Sequence, residues 1–224
     1  MIWPKLIALA VLIINPFTQS VPVVHSNNHL HATDVLIDVG HGGKDGGTVH
    51  DQLLEKDLNL MVAKELYKQL SAQGLRVVLN RTADYALSDD NGWLKVRSRH
   101  MRDLAQRKEL AKQLNPQLMI SLHVNWSPNP KKNGPLLLHQ KNEESLLLAN
   151  HIQDTLNQLY GTHTLPVFGK TFFLLNHVPC PTVIVEMGFI SNSADRNRLT
   201  HAEGQKEIAA AISSGVKDYL AKNI

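Results

Sequence analysis

"VLIDVGHGGKDGG", residues 35–47, runs an apolar stretch straight into a histidine framed by glycines, with Asp38 before it and Asp45 after it. Val35, Leu36 and Ile37 read as a buried strand, and the glycines that follow read as a turn at its carboxyl end. Such a junction suits a tight turn, a phosphate cradle or a metal site. The phosphate reading fails on spacing. A phosphate loop needs Gly-x-x-x-x-Gly-Lys-Ser/Thr, but Asp45 follows Gly43–Lys44 and Asp38 stands five before Gly43. The dinucleotide pattern begins at Gly40 and Gly42, then meets Asp45. Turn and metal site remain.

Working outward, apolar runs and amphipathic stretches alternate along the chain. Strands are expected at 34–40, 75–81, 116–126, 135–140 and 182–191, with a short strand or extended run at 170–176. Helices are expected at 55–74, 94–115, 142–160 and 202–223. In the first, Leu58, Val62, Leu66 and Leu70 repeat at four-residue spacing ahead of Gly74. The alternation predicts a single α/β domain, a twisted, mostly parallel or mixed sheet with helices on both faces.

Three of these strands end in groups that do chemistry: His41 in "LIDVGHGG", His123 in "MISLHVN" and Glu186 in "VIVEMGF". Ligands gather outside the carboxyl ends of strands in sheets of this class. Glu55 adds a carboxylate where the first helix begins. Two imidazoles and one carboxylate are a common set for catalytic zinc, because they leave the cation net positive and able to acidify a water. A further carboxylate can carry that water's proton to a leaving amine. His41, Glu55 and His123 are therefore read as ligands and Glu186 as the base. Each has a plainer reading: a glycine-turn histidine, a core histidine, a helix-start carboxylate favoured by the dipole. Glu186 resists one, since it follows an apolar run and a buried carboxylate needs partners.

The bulk numbers narrow the class. The 224 residues are 43% hydrophobic with a formal charge of +3, enough for one packed core and too mild for a polyelectrolyte. No basic stripe interleaves with aromatics in a way that suggests nucleic acid. Cys180 is the only cysteine, which excludes an internal disulfide and cysteine-rich zinc knuckles and favours a packed, inert thiol. Residues 1–20 place Lys5 before the nine-residue apolar run "LIALAVLII", which suits an export signal or short membrane anchor better than a bilayer span. Residues 21–33, with His25, His29 and His31, read as a linker.

"IDVGHGGKDGG", "EKDLNL", "SLHVN" and "VEMGFISN", in that order, resemble the zinc-dependent N-acetylmuramoyl-L-alanine amidases of the amidase-3 type. The resemblance covers residues 34–224 and implies a zinc amidase catalytic domain there. By it, His41, Glu55 and His123 bind one Zn2+ and Glu186 is the catalytic base. It implies hydrolysis of the amide between N-acetylmuramic acid and L-alanine in peptidoglycan. The segments "NGWLKVRSRHMRDLAQRKEL" and "FFLLNHVPCPTVIVEMGFISN" look like the spore-associated branch, which implies spore cortex and a step toward muramic δ-lactam. The expected setting is then outside the cytoplasmic membrane: secreted, membrane-anchored, or in the forespore intermembrane space. Expected partners are a muramyl peptide and an activating or targeting protein. Alternatives are a zinc peptidase acting within the stem peptide and an inactive peptidoglycan-binding protein. Asp38 and Asn125 are candidates for orienting the ligands, and His177 for meeting substrate or a developing oxyanion. Arg97 and Arg107 are read as a solvated helix face, with peptide carboxylates as the other possibility.

Overall fold

A computed structural model describes residues 32–222. The expected targeting segment and most of the expected linker, with its three histidines, lie outside the described residues. Strand β1 (Val35–Val39) is followed by a small hairpin, β2 (Val49–His50) and β3 (Leu53–Leu54), then helix α1 (Glu55–Ala72) and strand β4 (Val77–Leu79). Helix α2 (Arg99–Leu114) leads to β5 (Leu118–Asn125), β6 (Leu136–His139) and helix α3 (Glu143–Tyr160). The chain closes with β7 (Val167–Phe168), α4 (Phe173–His177), β8 (Thr182–Phe189), α5 (Ser193–Thr200) and α6 (Ala202–Lys222). Six strands make a mixed sheet in the order β4-β1-β5-β8-β6-β7, parallel except where β6 meets β8.

Period-2 alternation decides what each face meets. Val35, Ile37, Leu118, Ile120, Leu122, Val183 and Val185 face α1, α3 and α6 and form the main core with Val62, Leu66, Ile152 and Ile212. The opposite face is thinner. Leu36 and Met119 meet Ala111 of α2 and Leu174 of α4, and Ile184 meets Leu175. Asp38, Ser121, His123 and Glu186 have the parity of this second face. Register then sets His123 beside Glu186 on adjacent parallel strands. The fold thus delivers both groups to one rim before any specific contact forms.

Three sequence expectations change. Residues 170–176 do not extend as a strand, because α4 takes Phe173–His177. A strand would send Leu174 and Leu175 to opposite sides, whereas one helical turn buries both at 4% exposure. Helix α2 begins at Arg99, not 94, since Ser98 caps it by accepting from the Met101 N–H at 3.2 Å. Residues 94–98 instead form an irregular segment in front of it. Helix α5 was not expected, although Asn192 carries its signal by accepting from the Ala194 and Asp195 N–H groups.

Candidate metal centre

Glu55 opens α1, where free backbone donors and the helix dipole both favour a carboxylate. Its two oxygens are divided. Oε2 accepts from the Thr48 N–H at 2.7 Å, and Oε1 accepts from the Val124 N–H at 3.0 Å. Oε1 also lies 3.1 Å from His41 Nε2 and 2.9 Å from His123 Nδ1. The two imidazoles meet edge to face with centroids 5.0 Å apart. One ligand atom from each of His41, Glu55 and His123 falls within 4.8 Å of the others. Three residues separated in sequence therefore converge on one point.

Each ring is fixed from behind. Asp45 Oδ2 lies 3.1 Å from His41 Nδ1, which fixes the ring and turns Nε2 toward Glu55. His123 presses against Gly40: a Cβ there would stand 2.5 Å from Cε1 and 2.7 Å from Nε2, which leaves Nδ1 facing inward. Gly47, at φ +67°, similarly lets the backbone approach Glu55 and His41.

The loop that carries His41 is held by charged side chains. His41 itself has φ +61°, a left-handed conformation few non-glycine residues adopt. Arg107, only 3% exposed, donates to the His41 carbonyl at 2.9 Å, to the Val39 carbonyl at 2.8 Å and to Asp38 Oδ1 at 2.7 Å. Asp38 also accepts from Ser121 and Asn80. Arg81 is buried and donates to the Val39, Gly40 and Lys56 carbonyls. Lys56 bridges the Gly43 carbonyl at 2.8 Å and Asp84 at 2.6 Å, while the Gly43 N–H donates back to Asp84. Asp38 acts on the loop through Arg107, and the expected solvated place for Arg107 is overturned. Its guanidinium fills the interior because a buried carboxylate on β1 faces α2 there. The sequence reading assigned no role to Asp45, Lys56, Arg81 or Asp84. The signal for Asp45 was present, four residues after His41 in a tight glycine loop.

The electrostatics split the site. Burial opposes ionisation of Glu55, but hydrogen bonds from His123 and His41 outweigh it and hold the carboxyl far below the usual range. Burial lowers His41, yet Asp45 and Glu55 prevail and raise it to about 9. The His41 hydrogen bond holds Asp45 down at about 2. Glu186 goes the other way. Its carboxylate makes no hydrogen bond to any described residue, and burial pushes it up to about 7, against the pull of His123 and aided by Glu55.

A cleft of about 900 Å³ opens over these groups. Asn125 and His177 line it as well. Asn125 spends its Oδ1 on the Trp126 N–H at 2.8 Å and reaches no ligand. His177 stacks on Phe173 at 4.2 Å and donates from Nδ1 to the Phe173 carbonyl, so Nε2 is the nitrogen left for the cleft. Cys180 is buried and its thiol raised to about 11 by desolvation, in keeping with an inert role.

A family model described as N-acetylmuramoyl-L-alanine amidase matches residues 35–218. The germination-specific N-acetylmuramoyl-L-alanine amidase of Bacillus subtilis is 33% identical over 188 residues, 83% of this chain and 79% of that protein. The CwlD amidase from Clostridioides difficile, solved in complex with the GerS lipoprotein, superposes with a TM-score of 0.79 at 28% identity, covering 85% of this chain and 99% of that one. The catalytic domain of the amidase CwlV from Bacillus (Paenibacillus) polymyxa gives 0.71 at 28% identity, with 84% and 98% covered.

Proposed function

This chain belongs to the amidase-3 family of N-acetylmuramoyl-L-alanine amidases, and we propose that it holds one zinc ion with His41, Glu55 and His123 and uses Glu186 as its general base. It is an amidase of peptidoglycan, and the bond cut joins the lactyl carbonyl of N-acetylmuramic acid to the L-alanine nitrogen. The observation that carries the proposal is the convergence of two oriented imidazole nitrogens and one carboxylate oxygen beside an unpaired Glu186. The donor set fits zinc: two imidazole nitrogens and one carboxylate oxygen, with open space on the cleft side. When bound there, zinc polarises the substrate carbonyl and acidifies a water.

The chain's own residues do the remaining work. Asp45 keeps the His41 proton on Nδ1. Arg107 keeps the His41 backbone in place. Glu186 takes a proton from the attacking water as the carbon–oxygen bond forms, then returns it to the alanine nitrogen as the carbon–nitrogen bond breaks. The products are a lactyl carboxylate and a free amine. A carboxyl poised near neutrality can both accept and donate, which suits Glu186 to the two transfers. His177 Nε2 faces the same cleft and is proposed to meet the substrate.

The substrate setting is proposed as spore cortex, on the way to muramic δ-lactam, with support from the germination-specific relative. Export by the amino-terminal segment belongs to the same proposal. Among the described residues no helix is long and apolar enough to cross a membrane. An activating or targeting protein is proposed because the clostridial neighbour was solved with a lipoprotein. The test is mass spectrometry of peptidoglycan digested by the zinc-loaded chain. Intact stem peptides with a free L-alanine amine are expected. Fragments cut inside the stem would mean a peptidase, and unchanged material a binding protein.

A further inference from the structure

Residues 91–102, "NGWLKVRSRHMR", hold Lys95, Arg97, Arg99 and Arg102 and not one acid. The segment is anchored. Asn91, 1% exposed, donates to the Arg102 carbonyl at 2.8 Å and accepts from the Leu94 N–H at 3.0 Å. Trp93 donates its indole N–H to Gln106 of α2 at 3.1 Å. The four cations, by contrast, form no ion pair with any described residue. Arg99 Nη1 and Arg102 Nε are shielded from solvent and have no acceptor among the described residues. A guanidinium N–H in that state costs free energy until something supplies an oxygen. The nearby carboxylates are already taken. Asp45 serves His41 and the Gly47 N–H, while Asp103 serves Arg107 and the Ser88 N–H.

The position is as telling as the charge. His100 and Met101, next in sequence to Arg99, line the cleft above His41 and Glu186. The cleft itself is walled by Asp45, Glu55 and Glu186 and contains no lysine or arginine among its described lining residues. A substrate arm bearing carboxylates would meet no lysine or arginine there. Arg99 lies beside it, in a small adjoining pocket that shares Asp45 and His100 with the cleft.

We propose that residues 91–102 form a carboxylate-binding rim for the acidic stem peptide as it leaves the cleft, with the half-buried Arg99 and Arg102 turning to donate to its carboxylates and the exposed Lys95 and Arg97 supplying the attracting field. The proposal rests on the amidase reading for the identity of the ligand. Planar guanidinium forks suit carboxylate oxygens, and exposed cations steer an anionic ligand without specifying it.

The experiment uses two N-acetylmuramoyl peptides, one with free stem carboxyls and one with them amidated, titrated onto the full zinc-loaded chain carrying Glu186→Gln. Binding needs no turnover there, so it is read independently of the amidase reading, which falls only if the wild-type chain hydrolyses neither peptide. The free-carboxyl peptide is expected to bind about tenfold more tightly. Arg99→Gln with Arg102→Gln should abolish that preference and leave the amidated peptide's affinity unchanged. Lys95→Gln with Arg97→Gln, both exposed and safe for folding, should shrink the preference and flatten its dependence on salt. Equal affinity for the two peptides, or a loss shared equally by both, overturns the proposal. So does a Lys95→Gln, Arg97→Gln chain that keeps its peptide preference while losing adhesion to phosphatidylglycerol vesicles, which would make the segment a lipid contact.

Discussion

The loop after β1 and the end of β8 both deliver a functional side chain to the same cleft, yet they treat it oppositely. Around His41 almost every polar atom is engaged: Asp45 on the ring, Arg107 on the carbonyl, Arg81, Lys56 and Asp84 on the neighbouring backbone. Glu186, one strand from His123, has no hydrogen bond to a described residue. On the proposed reading, the difference teaches how one rim serves two jobs. Holding a cation needs ligands that cannot wander, and saturation with partners gives that at the cost of fixed protonation. Moving a proton needs a carboxyl that neither state has locked, and isolation gives that.

The contrast breaks most sharply on Glu186→Gln. Hydrolysis is expected to fall about a thousandfold, with zinc content by elemental analysis unchanged. Glu55→Ala is the counterpart and should lose the metal itself. Next comes Arg107→Met. Removing one partner of a buried ion pair strands Asp38, so unfolding by urea should show a loss of about 3 kcal/mol. Zinc affinity should fall too, because the left-handed His41 backbone loses its donor. A smaller effect is expected of Asp45→Asn: about tenfold weaker zinc binding by chelator competition, with little change in melting temperature.

The gentlest probe is pH. In the metal-free chain Glu186 keeps its proton to about 7, against 4.5 when unfolded, so its contribution to stability is present at low pH and lost as pH rises through that window. Asp45 has the opposite sign. Held at about 2 against 3.8, it stabilises above the higher value and ceases to do so as pH falls toward the lower. Stability curves of Glu186→Gln and Asp45→Asn should therefore each lose one slope, in opposite directions.

Much of this was legible in the chain. Apolar runs ending in His41, His123 and Glu186 located the rim, because parallel strands bring their carboxyl ends together whatever the loops between them do. Glu55 was legible from its place at a helix start. The clamp was not. Arg107 sits in a helix rich in Arg and Lys, and nothing in its spacing says that Asp38 waits across the interface. Such pairings are tertiary facts. The run at 170–176 misled for a related reason: a short apolar stretch carries no period, and only the cavity it fills decides between strand and helix.

Gly40 carries a consequence for how such enzymes fall silent. One added carbon would land 2.5 Å from the His123 ring, and the ring would have to swing away. A chain with alanine there would keep His41, Glu55 and His123 in its sequence, yet the same carbon would also stand 2.6 Å from the Leu122 carbonyl oxygen, so the neighbouring strand would have to give as well and the three groups would no longer converge. Gene duplicates could shed activity by that single methyl group, and an inventory of ligands would still count them as living.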